Sequence, residues 1–96
     1  MAQPSARTVT GTVTDRKTGK AVSYVTVKAL NAADSLLSYA MTGGDGAFTL
    51  TLGRGTAAVE FTLMGYETKR IGVGDMRQGM RVSLAPSGIM LKELTV

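Results

Sequence analysis

Few side chains in this sequence are equipped to make or break a bond, and those few stand apart. The 96 residues include no histidine and no cysteine. That removes the commonest general base, the commonest zinc ligand and every thiolate site. Two aspartates sit beside glycines, Asp15 in the run Asp15-Arg16-Lys17-Thr18-Gly19-Lys20 and Asp45 in Gly43-Gly44-Asp45-Gly46. A calcium ion wants several oxygen ligands close together. Asp45 is the sole charge in its stretch, and Asp15 would have to arrive from another loop. Asp-Gly tolerates the positive φ angles of tight hairpin turns, so Asp45-Gly46 reads as a hairpin turn. No catalytic, cofactor-binding or metal-binding residue is predicted.

Three further chemistries can be weighed. Tyr24 and Tyr39 offer aromatic surface for a sugar, although the chain has no tryptophan to complete a carbohydrate platform. A Lys–Asn isopeptide crosslink, as in adhesin-like stalks, needs a buried pair on neighbouring strands. The single asparagine, Asn31, falls in a predicted loop. Eleven basic residues against seven acidic ones leave a charge of +4. They are scattered in runs no longer than Arg16-Lys17 and Lys69-Arg70 and are not interleaved with aromatics, so nucleic acid is not an expected partner. No apolar run approaches the length of a membrane-spanning helix, and direct membrane insertion is not expected.

The elements that must carry these residues read as strands. Thr8 to Thr14 alternates threonine with Val9, Gly11 and Val13, the period of two of a strand with one wet face. Further runs follow at Val22–Leu30, Leu36–Thr42, Ala47–Leu52, Ala57–Met64, Glu67–Val73 and Met80–Leu84. Their predicted inward residues are Val25, Val27 and Ala29, then Phe48, Leu50 and Leu52, then Val59, Phe61 and Leu63, and last Val82 and Leu84. Most of the methionines read as core fillers. Met76 and Met80 flank a loop and are candidates for an exposed contact. Seven short strands separated by glycine-rich turns predict an all-β, seven-stranded antiparallel Greek-key sandwich.

Three segments carry a family likeness. Thr10-Gly11-Thr12-Val13-Thr14-Asp15, with Thr18-Gly19-Lys20 and Val25-Thr26-Val27, resembles the opening of carboxypeptidase regulatory-like domains. Thr42 through Asp45-Gly46-Ala47-Phe48-Thr49-Leu50 resembles their central signature, a threonine, a short acidic turn, glycine, then phenylalanine alternating with leucine. Phe61 through Gly65-Tyr66-Glu67-Thr68 resembles their Gly-Tyr element. The structural motif residues are thus Gly11, Asp15, Gly19, Asp45, Gly46, Phe48, Gly65 and Tyr66. Gly43 and Gly44 stand where the family usually has acidic residues, which weakens any cation site at that turn.

The resemblance implies a transthyretin-like (prealbumin-like) sandwich over residues 8–86, with residues 1–7 a leader remnant and 87–96 a tail or linker. It further implies a non-catalytic domain of the kind found at the N-terminus of Bacteroidetes TonB-dependent outer-membrane receptors and β-barrel proteins, facing the periplasm as part of a nutrient-uptake system. The expected partner is a downstream plug or barrel domain, or a periplasmic protein. The apolar tail, with Leu91, Leu94 and Val96 as its candidate contact residues, can add to a sheet edge or exchange with another copy. The alternative is a carbohydrate-binding or adhesin-like stalk module of a surface protein. Transthyretin-like hydrolases of purine breakdown products resemble the same fold but depend on histidines, which this chain lacks.

Overall fold

β1 spans Arg7–Asp15, and its alternation has the predicted consequence: Val9, Gly11 and Val13 are buried while Thr8 and Thr10 face solvent. The computed structural model describes residues 7–87. It continues with β2 (Thr26–Leu30), β3 (Leu36–Met41), β4 (Ala47–Leu52), β5 (Ala58–Thr62), β6 (Lys69–Gly72), a single 3-10 turn at Val73–Asp75 and β7 (Met80–Leu84). The strands form two sheets, β4-β1-β7 and β3-β2-β5-β6. Val9, Val13, Leu50, Val82 and Leu84 of the first sheet share one core with Val27, Val59 and Phe61 of the second and with Val25 just ahead of β2. Each such side chain withdrawn from water contributes about 1.5–3 kcal/mol. Phe48 and Phe61 meet edge to face across the gap, centroids 5.5 Å apart, an arrangement that suits the ring quadrupoles.

Several connections differ from the sequence expectation. The Asp45-Gly46 turn does not close a hairpin, because β3 and β4 lie in different sheets. The Asp15–Lys20 loop does close a local hairpin, with Thr14 bridged to Ala21 and Val22 N–H donating to the Val13 carbonyl. The chain then changes sheets at Tyr24, which has φ 63°, so β2 begins at Thr26 rather than Val22. Thr42 secures this crossing. It is buried, its hydroxyl donates to the Val22 carbonyl at 2.8 Å, and its oxygen accepts the Val25 N–H at 2.9 Å. β6 is also shorter than predicted, because the Glu67 N–H turns to the Ala85 carbonyl instead.

Every strand pair is antiparallel except β1 with β7, which is parallel. β6 runs toward the end of the sandwich where β1 starts. A crossover through Val73–Asp75 then returns the chain in β1's own direction. β7 reaches only the second half of β1, from Gly11 onward. Gln78 covers the first half: its Oε1 accepts the Thr10 N–H at 3.0 Å and the Thr10 hydroxyl at 2.9 Å, and its Nε2 donates to the Thr8 carbonyl. Arg7 adds two bonds to the carbonyls of Val73 and Met76, each 3.3 Å. Held so, the loop buries Met76 in the core, and Met80 packs half-buried against it. The exposed contact expected of these methionines is therefore corrected.

Candidate interaction surfaces

The motif residues converge on the backbone. Asp15 sits at the end of β1, where its Oδ1 accepts the N–H groups of Lys17 (2.7 Å) and Thr18 (3.0 Å). Its Oδ2 accepts the Tyr66 hydroxyl at 2.7 Å. The Tyr66 bond first, then the Thr18 amide, hold the Asp15 carboxyl below its ordinary range. The same bond to the carboxylate, helped by burial, raises the tyrosine above its own ordinary value. Two segments 51 residues apart are thereby tied, the first loop to the turn between β5 and β6.

Asp45 Oδ1 accepts the Ala47 N–H at 3.0 Å. Its neighbour Gly46 has φ 77°, its carbonyl accepts the Val13 N–H, and a Cβ there would stand 2.6 Å from the Val13 carbonyl oxygen. Only glycine fits. Gly11 has a packing reason: a Cβ would lie 2.8 Å from both the Met80 carbonyl and the Phe48 ring. Gly19 and Gly65 are turn residues at φ 76° and 94°. Asn31 Oδ1 accepts the N–H groups of Ala33 and Ser35 and so organises the loop before β3. Leu91, Leu94 and Val96 lie outside the described residues.

Two flanks of the sandwich remain. On one, β3 is the edge of its sheet, and its outer face carries the apolar side chains. Tyr39 is 66% exposed, Met41 54%, and Leu36 and Leu37 are also exposed. Tyr24, 69% exposed, lies beside the end of β3, its N–H bonded to the Thr42 carbonyl. The rest of this outer face is charged and self-compensated. Register places Tyr39 beside Lys28, Lys28 beside Glu60, and Glu60 beside Arg70. Arg70 also pairs with Asp34 from the β2–β3 loop, which keeps its guanidinium firmly charged.

On the other flank, β6 and β7 border an open groove of about 570 Å³ lined by Arg16, Glu67, Thr68, Lys69, Arg70, Ser83 and Ala85. Lys69 reaches across it to the Ser83 carbonyl at 3.4 Å. One end is closed where Tyr66 bridges Pro86 and the Ser87 N–H donates to the Gly65 carbonyl.

The sequence marks Thr42 as the start of the central signature but not its buried role, and it does not single out Gln78. Neither a threonine just past a strand nor a glutamine in a polar loop announces its partners locally, because they lie 20 and about 70 residues away.

Two sheets over one core, with the recurrent glycine, aspartate and tyrosine residues engaged in holding turns, define a transthyretin-like β-sandwich module. The family model for the carboxypeptidase regulatory-like domain matches residues 8–86, and the chain belongs to that family, a non-catalytic one. No curated protein matches the chain.

Proposed function

We propose that this sandwich is an interaction module that serves as the periplasmic, N-terminal accessory domain of an outer-membrane receptor or β-barrel protein engaged in nutrient uptake. The observation that carries the reading is the placement of exposed apolar side chains at the end where the described chain leaves the fold. Thr26 pairs with both Met41 and Thr62, so these residues form one row across the sheet. Tyr24 lies beside that row, and Met64, 95% exposed, lies two residues past it. Ser87, the last described residue, is bonded to Gly65 at the same end. Exposed apolar side chains gathered at one end of a domain point to a contact there. A following domain of the same polypeptide would meet this end first.

The reading frame around the chain provides the test. A signal peptide upstream and alternating membrane strands downstream are expected, and a stop codon directly after Val96 overturns the accessory-domain reading. The carbohydrate alternative draws on the exposure of Tyr24 and Tyr39. Titration of oligosaccharides against tyrosine fluorescence decides it, with no change expected.

A further inference from the structure

The groove between β6 and β7 has a geometry that side-chain pockets lack. Lys69 and Arg70 are consecutive residues of β6 and point to opposite faces of its sheet, and Glu67 and Thr68 lead into them, the Glu67 N–H bonded to the Ala85 carbonyl. All four line one groove. They can do so only if the groove runs along the edge of the strand, where the backbone itself is the wall. Among the described strands β6 is an edge, bonded within its sheet to β5 alone, and β7 is an edge bonded to β1 alone. The remaining wall residues on β7 and just beyond it, Ser83 and Ala85, are small and leave room.

Charge then narrows what can enter. Register pairs Lys69 with the buried Phe61, so Lys69 points to the inner side of its sheet, into the groove. An inward charge on an edge strand deters pairing with an apolar strand. It does not deter a strand that presents a carboxylate opposite it. Arg16 stands at the groove with no side-chain hydrogen bond or ion pair among the described residues. Among the same residues Lys69 has only its long bond to a carbonyl, and Arg70 is held by Asp34 and Glu60. Glu67 is the one carboxylate in the lining.

The geometry points to this groove as a strand-addition site for an extended, carboxylate-bearing segment of a partner protein, which pairs with the β6 edge and sets its acidic side chains against Lys69 and Arg16. Main-chain bonds supply affinity in such pairing and alternate side chains supply selection. The inference rests on the interaction-module reading and names one partner class for it.

The experiment titrates the 15N-labelled protein with two blocked peptides, Thr-Glu-Val-Glu-Thr-Glu-Val and its lysine counterpart, and repeats the first with alternate backbone nitrogens methylated. The acidic peptide is expected to shift the amides of residues 67–70 and 83–85, and methylation to abolish binding. Lys69→Glu is expected to weaken the acidic peptide about tenfold and to favour the lysine peptide, in spectra that also report an intact fold. Equal binding of the two peptides, retention by the methylated one, or no shift at millimolar peptide overturns the strand-addition site. Shifts confined to β3 also overturn it, yet leave the interaction module standing. The accessory-domain reading fails separately, on the reading frame.

Discussion

Along one flank of the sandwich β3 and β4 lie side by side, while along the other β6 and β7 stand farther apart across a groove. Each flank brings together one edge from each sheet, and on each a side chain of the second sheet donates to a carbonyl of the first. On the β3 flank the donor is Ser38, whose hydroxyl reaches the Thr51 carbonyl at 2.8 Å. On the β6 flank it is Lys69, reaching Ser83. A hydroxyl on a single methylene draws the strands together, whereas a four-carbon stem spans them and leaves a slot. The consequences diverge. The short bridge seals its flank, and the apolar residues of β3 are turned outward. The long bridge keeps a polar groove open along a free edge, guarded by a cation. Two sheet edges with the same topology thus present different surfaces, one apolar and one basic.

The comparison breaks most completely where the chain passes from one sheet to the other beside the β3 flank. Gly46→Ala adds a Cβ against the Val13 carbonyl at a left-handed φ. A loss of about 2–4 kcal/mol is expected from strain and displaced backbone, read as a fall in the urea midpoint. Thr42→Val comes next. It keeps the shape but leaves the Val25 N–H and the Val22 carbonyl without their buried partner, at an expected cost of about 1–3 kcal/mol.

On the opposite flank the corresponding tie is Tyr66 with Asp15, and it is more exposed. Tyr66→Phe is expected to lower the thermal midpoint less than Thr42→Val does. Its diagnostic is the pH dependence. A carboxyl whose folded value lies below its unfolded one stabilises the fold above the unfolded value, here near 3.8. That contribution is lost as pH falls through the folded value. Wild type should therefore lose stability more steeply than Tyr66→Phe below about pH 4, and the two curves should converge. Parallel curves would mean that the bond does not set the Asp15 titration. The raised tyrosine works in the other direction: its contribution is complete below its ordinary value near 10 and fades as pH climbs through the folded one.

The inward residues were legible because alternation is local: Val9, Val13, Val25, Val27, Phe48, Leu50, Val59, Phe61, Val82 and Leu84 are all buried. Which sheet each strand joins was not legible. A Gly-Asp-Gly turn has one chemistry whether it folds a strand back on its neighbour or hands it to the opposite sheet. The parallel β1–β7 pair was hidden for the same reason, since it follows from the end at which the β6–β7 crossover is made. Tyr66 was legible as part of the Gly-Tyr element, while Asp15 as the partner of its hydroxyl needed the fold. Met76 read as loop because nothing near it announces that Arg7 and Gln78 fasten the loop onto β1.

The smallest effect on stability should come from the surface that matters most to the proposed function. Tyr39→Thr with Met41→Thr removes two exposed side chains from the outer face of β3 and keeps β-branched residues in their place. Neither position belongs to the core, so the folding free energy should move by no more than about 0.5 kcal/mol. If a following domain covers this end, the same double change should weaken the contact between the two when they are expressed as separate pieces, measured by calorimetry. Lys69→Glu should leave that contact unchanged. A loss of stability well beyond that figure would mean that the β3 strip supports the fold itself, and the division between a sealed flank that docks and an open flank that selects would have to be redrawn.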